Sequence, residues 1–504
     1  MKAPISIPTF VLLETKNRNF YGFNILSQKC IYLPPLMAQL IKHYFKEGDF
    51  EYYQNFCNAN SYHEFDGIKY TKDEIDYYIG KILFFEKENL FQKGDFKSRI
   101  NKELTADDVL YNISNSKHIG FEVTERCNLD CKYCIYGENY NHYERRDNKN
   151  LDFNKAKRLT DYMFELWCSS NNQSINTTKL ISFYGGEPLL NFEFIERVVD
   201  YINEIKHKYS INIQYNITTN ATLLHKHIDY LVENGFRLTI SLDGDAHHNS
   251  YRVFKDGSPS YEIVLNNTLL ILRKYPSYFI EKVHFNSVLH KNSDYIKIRE
   301  YFKEFFNKET EISELNPLMN NSSKALFKSM LSEVEKSGID LNQFNIHPDI
   351  KSKLVFLSLA SKSRFDSYFD LLEDENYSKC YLPTGTCLPF SNKIFITVNG
   401  NIYPCETIPH DIPLGKVDNS TVQIDNLEIA NKYNSLYNSI SNRCSVCYNF
   451  NNCKACLFLD IFKEPNCPYF SSIDKFSRNF SSEIEFFESN PIQYSKILNS
   501  VHNG

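Results

Sequence analysis

The sequence predicts an α/β protein: an open barrel of six strand–helix units, with a small strand-and-helix region before it and a cysteine-rich region after it. Three observations carry this expectation. Strand-like runs begin near Ile119, Leu180, Ile211, Phe236, Val283 and Ile312, and amphipathic stretches such as Phe194–Ile205 and Tyr295–Phe306 separate them, which is the alternation that builds a parallel sheet. The first four runs lead into Cys127, Gly185-Gly186-Glu187, Asn220 and Asp243-Gly244, so chemistry-bearing residues gather beyond strand carboxyl ends, where parallel barrels place their sites. Eight cysteines then fall between residues 380 and 467.

In chain order, residues 1–112 precede the barrel. Thr9–Glu14 and Phe20–Leu26 read as short strands and Pro34–Phe45 as a helix. A second helix starts at Thr71, where Glu74 completes a capping box and Ile75, Tyr78, Ile79 and Ile82 recur on one face. This region is expected to be separate from the barrel. Two readings of it stay open, a peptide-binding domain and a cover for the barrel.

The barrel, residues 113–320, reads as an open (β/α)6 partial TIM barrel whose missing side admits a large substrate. Ile119, Phe121 and Val123 alternate as a strand, and Thr124-Glu125-Arg126 leads into Cys127-Asn128-Leu129-Asp130-Cys131-Lys132-Tyr133-Cys134. Four-iron clusters take four cysteines and structural zinc takes four ligands, so a triplet without a nearby fourth suits a four-iron cluster with one iron left for a small molecule. S-adenosylmethionine is the candidate. After Leu180–Tyr184, the glycines of Gly185-Gly186-Glu187-Pro188 would allow close approach to a ligand, with a carboxylate beside it for a charged amino group. The same turn also serves as an ordinary strand-to-helix connection. His247 and His248 read as solvated loop residues, and Cys30, Cys57 and Cys168 as small buried ones.

Residues 321–375 read as a helical bridge, 376–470 as the cysteine-rich domain and 471–504 as an extension. Cys380, Cys387, Gly400 and Cys405 are followed by the tight group Cys444, Cys447, Cys453 and Cys456, with Cys467 last. Paired Cys-x-x-Cys units also hold zinc, but a zinc module needs four ligands where eight are present.

With these motifs the chain resembles radical S-adenosylmethionine (SAM) enzymes, and more narrowly the peptide-modifying members that bear a C-terminal SPASM domain, over residues 115–470. The resemblance implies that Cys127, Cys131 and Cys134 hold the radical [4Fe-4S] cluster. Gly185, Gly186, Glu187, Asn220, Ser241 and Arg252 would bind SAM, with Tyr133 and Tyr136 near its adenine. Two auxiliary [4Fe-4S] clusters would take Cys380, Cys387, Cys405 and Cys456, and Cys444, Cys447, Cys453 and Cys467. One departure is the gap from Cys453 to Cys456, a residue shorter than the family's. Glu406, next to Cys405, is a candidate general base, with a loop-shaping salt bridge as its other role. Residues 1–112 are similar to a winged-helix domain that binds leader peptides.

The implied activity is reductive cleavage of SAM, hydrogen abstraction from a ribosomally made precursor peptide, and thioether or carbon–carbon crosslinking, with flavodoxin or ferredoxin as reductant. The alternatives are oxidation of Cys or Ser to formylglycine, as in sulfatase-maturing enzymes, and a catalytically silent peptide scaffold or zinc module. The formal net charge of −6 is too mild to imply nucleic-acid or membrane partners. Met1–Leu13 has one basic residue and two prolines, a poor signal peptide, and no apolar run approaches a membrane span. With cluster thiolates needing a reducing compartment, a cytoplasmic location is expected.

Overall fold

The computed structural model describes residues 7–25, 29–53, 55, 62–65, 67–88, 90–91, 93–94, 103–174, 177–313, 315–316, 320–330, 382, 388–450, 453, 455–460, 467 and 469–492. Cys57, Cys380, Cys387 and most of the bridge expected over 321–375 lie outside them.

Phe10–Glu14 (β1), Phe20–Asn24 (β2) and Lys29–Leu33 (β3) form an antiparallel sheet in that order. Helix α1 (Pro35–Glu47) starts with proline at its first position, where the missing N–H would be unpaired anyway, and stops at Gly48 with φ 86°. A hairpin of Tyr62–Phe65 (β4) and Ile68–Thr71 (β5) leads into α2 (Lys72–Lys87). The capping box expected there is formed: Thr71 Oγ1 accepts from Glu74 N, and the Glu74 carboxylate accepts from Thr71 N at 2.8 Å.

Helix α3 (Ala106–Asn115) precedes the barrel, whose strands are β6 (His118–Thr124), β7 (Lys179–Gly185), β8 (Ile213–Thr219), β9 (Arg237–Ser241), β10 (Val283–Val288) and β11 (Thr310–Ser313). All six run parallel, in register such as Phe121 opposite Phe183 and Ile240 opposite Phe285. Helices α4 (Phe153–Trp167), α5 (Phe192–Tyr209), α6 (Ile228–Glu233), α7 (Tyr261–Lys274) and α8 (Tyr295–Phe306) lie between them. Ile119, Phe121, Val123, Ile181, Phe183, Ile217 and Ile240 are buried against those helices. The alternate positions, Glu122, Ser182, Tyr184, Asn216, Thr218, Thr239, Ser241 and Asn286, point to the other face of the sheet, which is therefore polar. Val109 and Ile113 of α3 belong to the same core, so the boundary expected at residue 112 cuts through a helix of the barrel unit.

The sheet does not stop at β6. Ile394–Ile396 (β12) pairs parallel with it, and Asn401–Tyr403 (β13), Gly415–Val417 (β14) and Val422–Gln423 (β15) continue antiparallel, giving ten strands in the order β11-β10-β9-β8-β7-β6-β12-β13-β14-β15. Among the described residues β11 and β15 do not pair, so the sheet is open. The cysteine-rich region thus begins as an extension of the barrel sheet. It continues through α9 (Asn426–Cys444) to α10 (Ile473–Ser489), which packs on β1. Val11, Leu13, Phe23 and Ile25 meet Tyr448, Phe450, Phe476 and Phe480 there, while Phe10, Phe20 and Leu33 of the same sheet face α1 and α2. The N-terminal region is therefore docked on the C-terminal one.

Candidate active site

The loop after β6 is held from two sides. Gly186 N donates to Thr124 O and Glu187 N to Arg126 O, both at 2.8 Å, so the turn after β7 lies directly on the segment entering Cys127. A Cβ on Gly185, whose φ is +135°, would lie 2.5 Å from Thr124 O, and one on Gly186 only 2.1 Å from Arg126 O. The glycines were expected to let a ligand approach; what they admit is the backbone of the cysteine loop. On the other side, Asp130 N donates to Val253 O at 2.7 Å and Lys132 N to Tyr251 O at 3.1 Å, tying the loop to the segment that carries Arg252.

Glu187 departs from the expectation of a carboxylate offered to a ligand. It is fully buried, with Oε1 accepting from Thr219 Oγ1 (2.7 Å) and Leu189 N (3.1 Å) and Oε2 from Asn220 N (2.7 Å). Burial raises its carboxyl to about 7, opposed by those hydrogen bonds. Its work is to join the ends of β7 and β8. Asn220, so held, points Nδ2 at Asn128 Oδ1 (2.9 Å), with Cys127 Sγ 3.9 Å away.

Tyr133 and Arg252 meet at Asp243, just past β9. Arg252 Nη2 donates to Asp243 Oδ1 at 3.0 Å, the Tyr133 hydroxyl donates to Oδ2, and the Arg252 guanidinium lies 5.4 Å from the Tyr133 ring centroid. Ser241 ends β9 on the polar face, half-buried. The sequence placed Asp243 at a strand end without a role. His248 corrects the expectation of a solvated residue: it is buried, with Nδ1 2.7 Å from Asp245 Oδ1, while His247 is exposed. Cys168 is exposed at the end of α4 rather than buried, and Cys30 is half-buried.

Tyr136 lies under the Arg146 guanidinium, 3.5 Å from its ring centroid, and Arg146 pairs with buried Glu122. Glu122 also accepts from Val398 N (3.0 Å), and Glu144 from the side chains of Thr397, Asn399, Asn401 and Tyr403. These carboxylates fasten the β12–β13 hairpin to the cysteine loop, a contact no local pattern reveals. Past that hairpin, Cys405 Sγ accepts from Thr407 N at 3.3 Å. Glu406 makes a salt bridge: both oxygens accept from Lys393 Nζ, at 2.9 and 2.8 Å. Burial alone would raise its carboxyl, but the charge and hydrogen bonds of Lys393 outweigh it and hold the group below its ordinary value.

The thiols of Cys127, Cys131 and Cys134 lie within electrostatic reach of one another, and so does Cys444 with Cys447, Cys453 and Cys467. Cys405, Cys444 and Cys456 pack against the barrel core. Burial pushes Cys127 up to about 11 and Cys444 to about 12, so these thiols would stay protonated and inert without a metal to displace the proton. Among the described residues no three His, Cys, Asp or Glu converge on a point that could hold one ion. Ligands of a cluster bind different irons and need no such point, so the donor set fits a cluster.

Residues 121–304 match the Radical SAM superfamily. Over 309 residues, 61% of this chain and 90% of the relative, the sequence is 32% identical to an uncharacterized protein of Methanocaldococcus jannaschii. The chain belongs to the radical SAM superfamily. This radical SAM protein is also 24% identical to a radical SAM cyclopropyl synthase of Paramaledivibacter caminithermalis, over 68% of each chain. It is 25% identical to a cysteine-type anaerobic sulfatase-maturating enzyme of Clostridium novyi, over 73% of this chain and 93% of that one. Within the superfamily it stands with the SPASM-type maturases, and a [4Fe-4S] cluster and SAM are the cofactors its radical SAM domain implies. Among the described residues no helix is long and apolar enough to cross a membrane.

Proposed function

We propose that this radical SAM protein is a peptide maturase that crosslinks a ribosomally made precursor through a thioether or carbon–carbon bond. The observation that carries the reading is the cysteine triplet beyond β6, fastened on one side to the Gly185-Gly186 turn and on the other to the Arg252 segment. In this reading Cys127, Cys131 and Cys134 hold the radical cluster. Ser241, Asn220 and Arg252, with Tyr133 and Tyr136, form the SAM pocket. Cys380, Cys387, Cys405 and Cys456 hold one auxiliary cluster, and Cys444, Cys447, Cys453 and Cys467 the other. When bound and reduced, the radical cluster and SAM supply a 5′-deoxyadenosyl radical able to take hydrogen from unactivated carbon.

The chain's own residues bind and orient. The polar face of the sheet, Ser182, Tyr184, Asn216 and Thr239, offers hydrogen-bonding groups to a peptide entering the open barrel. Glu406 and Lys393 keep a neutral ion pair beside Cys405. The triple replacement of Cys127, Cys131 and Cys134 by Ala should remove about a third of roughly twelve irons per chain and abolish release of 5′-deoxyadenosine. Retained release would refute the assignment.

The N-terminal region is proposed to bind the leader part of the precursor. Support comes from β3, which has no strand on its outer edge among the described residues and so offers backbone groups to an extended peptide. Amide exchange across Lys29–Leu33 should slow when a candidate precursor is added. Unchanged exchange there with bound peptide would place the leader elsewhere.

A further inference from the structure

We infer that Asp243 is the positioning residue of the SAM pocket, holding Arg252 and Tyr133 in the orientation in which they meet the cofactor. The inference rests on the reading that those two residues contact SAM, and it adds what sets their geometry. Asp243 has no exposed surface, and a carboxylate at that depth survives only with partners that replace water. Its partners come from three places distant in the chain: Tyr133 from the cysteine loop, Arg252 from the turn after β9, and Val288 N, at 2.9 Å, from the end of β10. Its own N–H is held by Asn249 Oδ1 at 3.2 Å, so the backbone that aims the carboxylate is fixed as well.

His290 does not compete for this carboxylate. Its ring stacks on Tyr251 at 4.2 Å, its Nε2 lies 2.8 Å from His248 O and so carries the proton, and the distance from Nε2 to Asp243 is 4.0 Å. Arg252 is thus the cation that Asp243 binds directly, and the bond takes only Nη2. Arg252 Nε is buried without a partner among the described residues. Asp243 therefore holds the guanidinium through Nη2 alone and sets the direction in which its remaining N–H groups point. Through the Tyr133 hydroxyl it fixes the aromatic ring one residue before Cys134 in the same act.

The test is a double-mutant cycle on full-length, anaerobically reconstituted protein, reading iron content, thermal midpoint and SAM affinity from the change SAM causes in the electron paramagnetic resonance of the reduced cluster. Asp243→Asn keeps the shape and removes the charge. It should retain its iron and bind SAM roughly tenfold more weakly, the scale of one lost charge-assisted hydrogen bond. Arg252→Gln should weaken binding similarly, and the double variant should bind no more weakly than Arg252→Gln alone. Native affinity in Asp243→Asn, or fully additive losses, overturns the inference. Native affinity in Arg252→Gln overturns the underlying assignment of Arg252 instead, a separate outcome. Should Asp243→Asn fail to hold iron, Asp243→Glu keeps the charge but displaces it by one methylene; weaker SAM binding with full iron supports the role, and unchanged binding refutes it.

Discussion

At Gly186 the fate of the whole cysteine loop depends on one missing methyl group. Any Cβ there collides with the Arg126 carbonyl, which is backbone and cannot swing aside, so Gly186→Ala must push the turn off the segment that enters Cys127. The variant is expected to lose most of the iron assigned to Cys127, Cys131 and Cys134, read by iron and sulfide analysis. Gly235→Ala is the control: its Cβ would meet open space and only the positive φ of 62° is penalised, so a loss of about 1 kcal/mol with full iron is expected. This contrast marks the limit of the sequence at this scale. Gly-Gly-Glu was legible as a special turn, but whether its glycines face a ligand or another stretch of backbone depends on residues sixty positions away. The same holds for Glu187, which a local pattern places at a binding site and the packing places between two strands.

Strand β1 shows the same division at the scale of elements. Its run Phe10-Val11-Leu12-Leu13 is apolar on both faces because each face has a partner, α1 and α2 on one side and α10 on the other. Phe480 on α10 lies 4.5 Å, centroid to centroid, from Phe23. Phe480→Ala should cost about 3 kcal/mol, seen as a lower thermal midpoint, and should speed amide exchange in Phe10–Glu14 but not in His118–Thr124. Equal exchange in both strands would show that the N-terminal sheet does not depend on α10. The elements made by local signals were legible: the capping box at Thr71, the six parallel strands, the amphipathic helices between them. Strand β12 was not, because Ile394-Phe395-Ile396 is three residues long and its partner β6 lies more than 270 positions earlier; only the assembled sheet makes it a strand.

The whole molecule closes on itself through its distant ends. Glu488, near the end of α10, accepts from Thr15, Asn17, Asn19 and Tyr21 at 2.8 to 3.2 Å, and Tyr448 OH donates to Pro8 O at 3.0 Å. A reading of residues 1–112 as a separate unit misses this, since composition and periodicity carry no information on contacts of such range. The clasp has a consequence for how the chain is made. The face of β1 and β2 bearing Val11, Leu13 and Phe23 acquires its cover only when α10 has left the ribosome, more than 460 residues later. At about 5–20 residues per second that is roughly half a minute or more in which an aromatic, strand-forming surface waits exposed on the nascent polypeptide. Any demand of this chain on cellular chaperones is therefore expected at its amino-terminal sheet, beginning early in synthesis and lasting until the cysteine-rich region has been made.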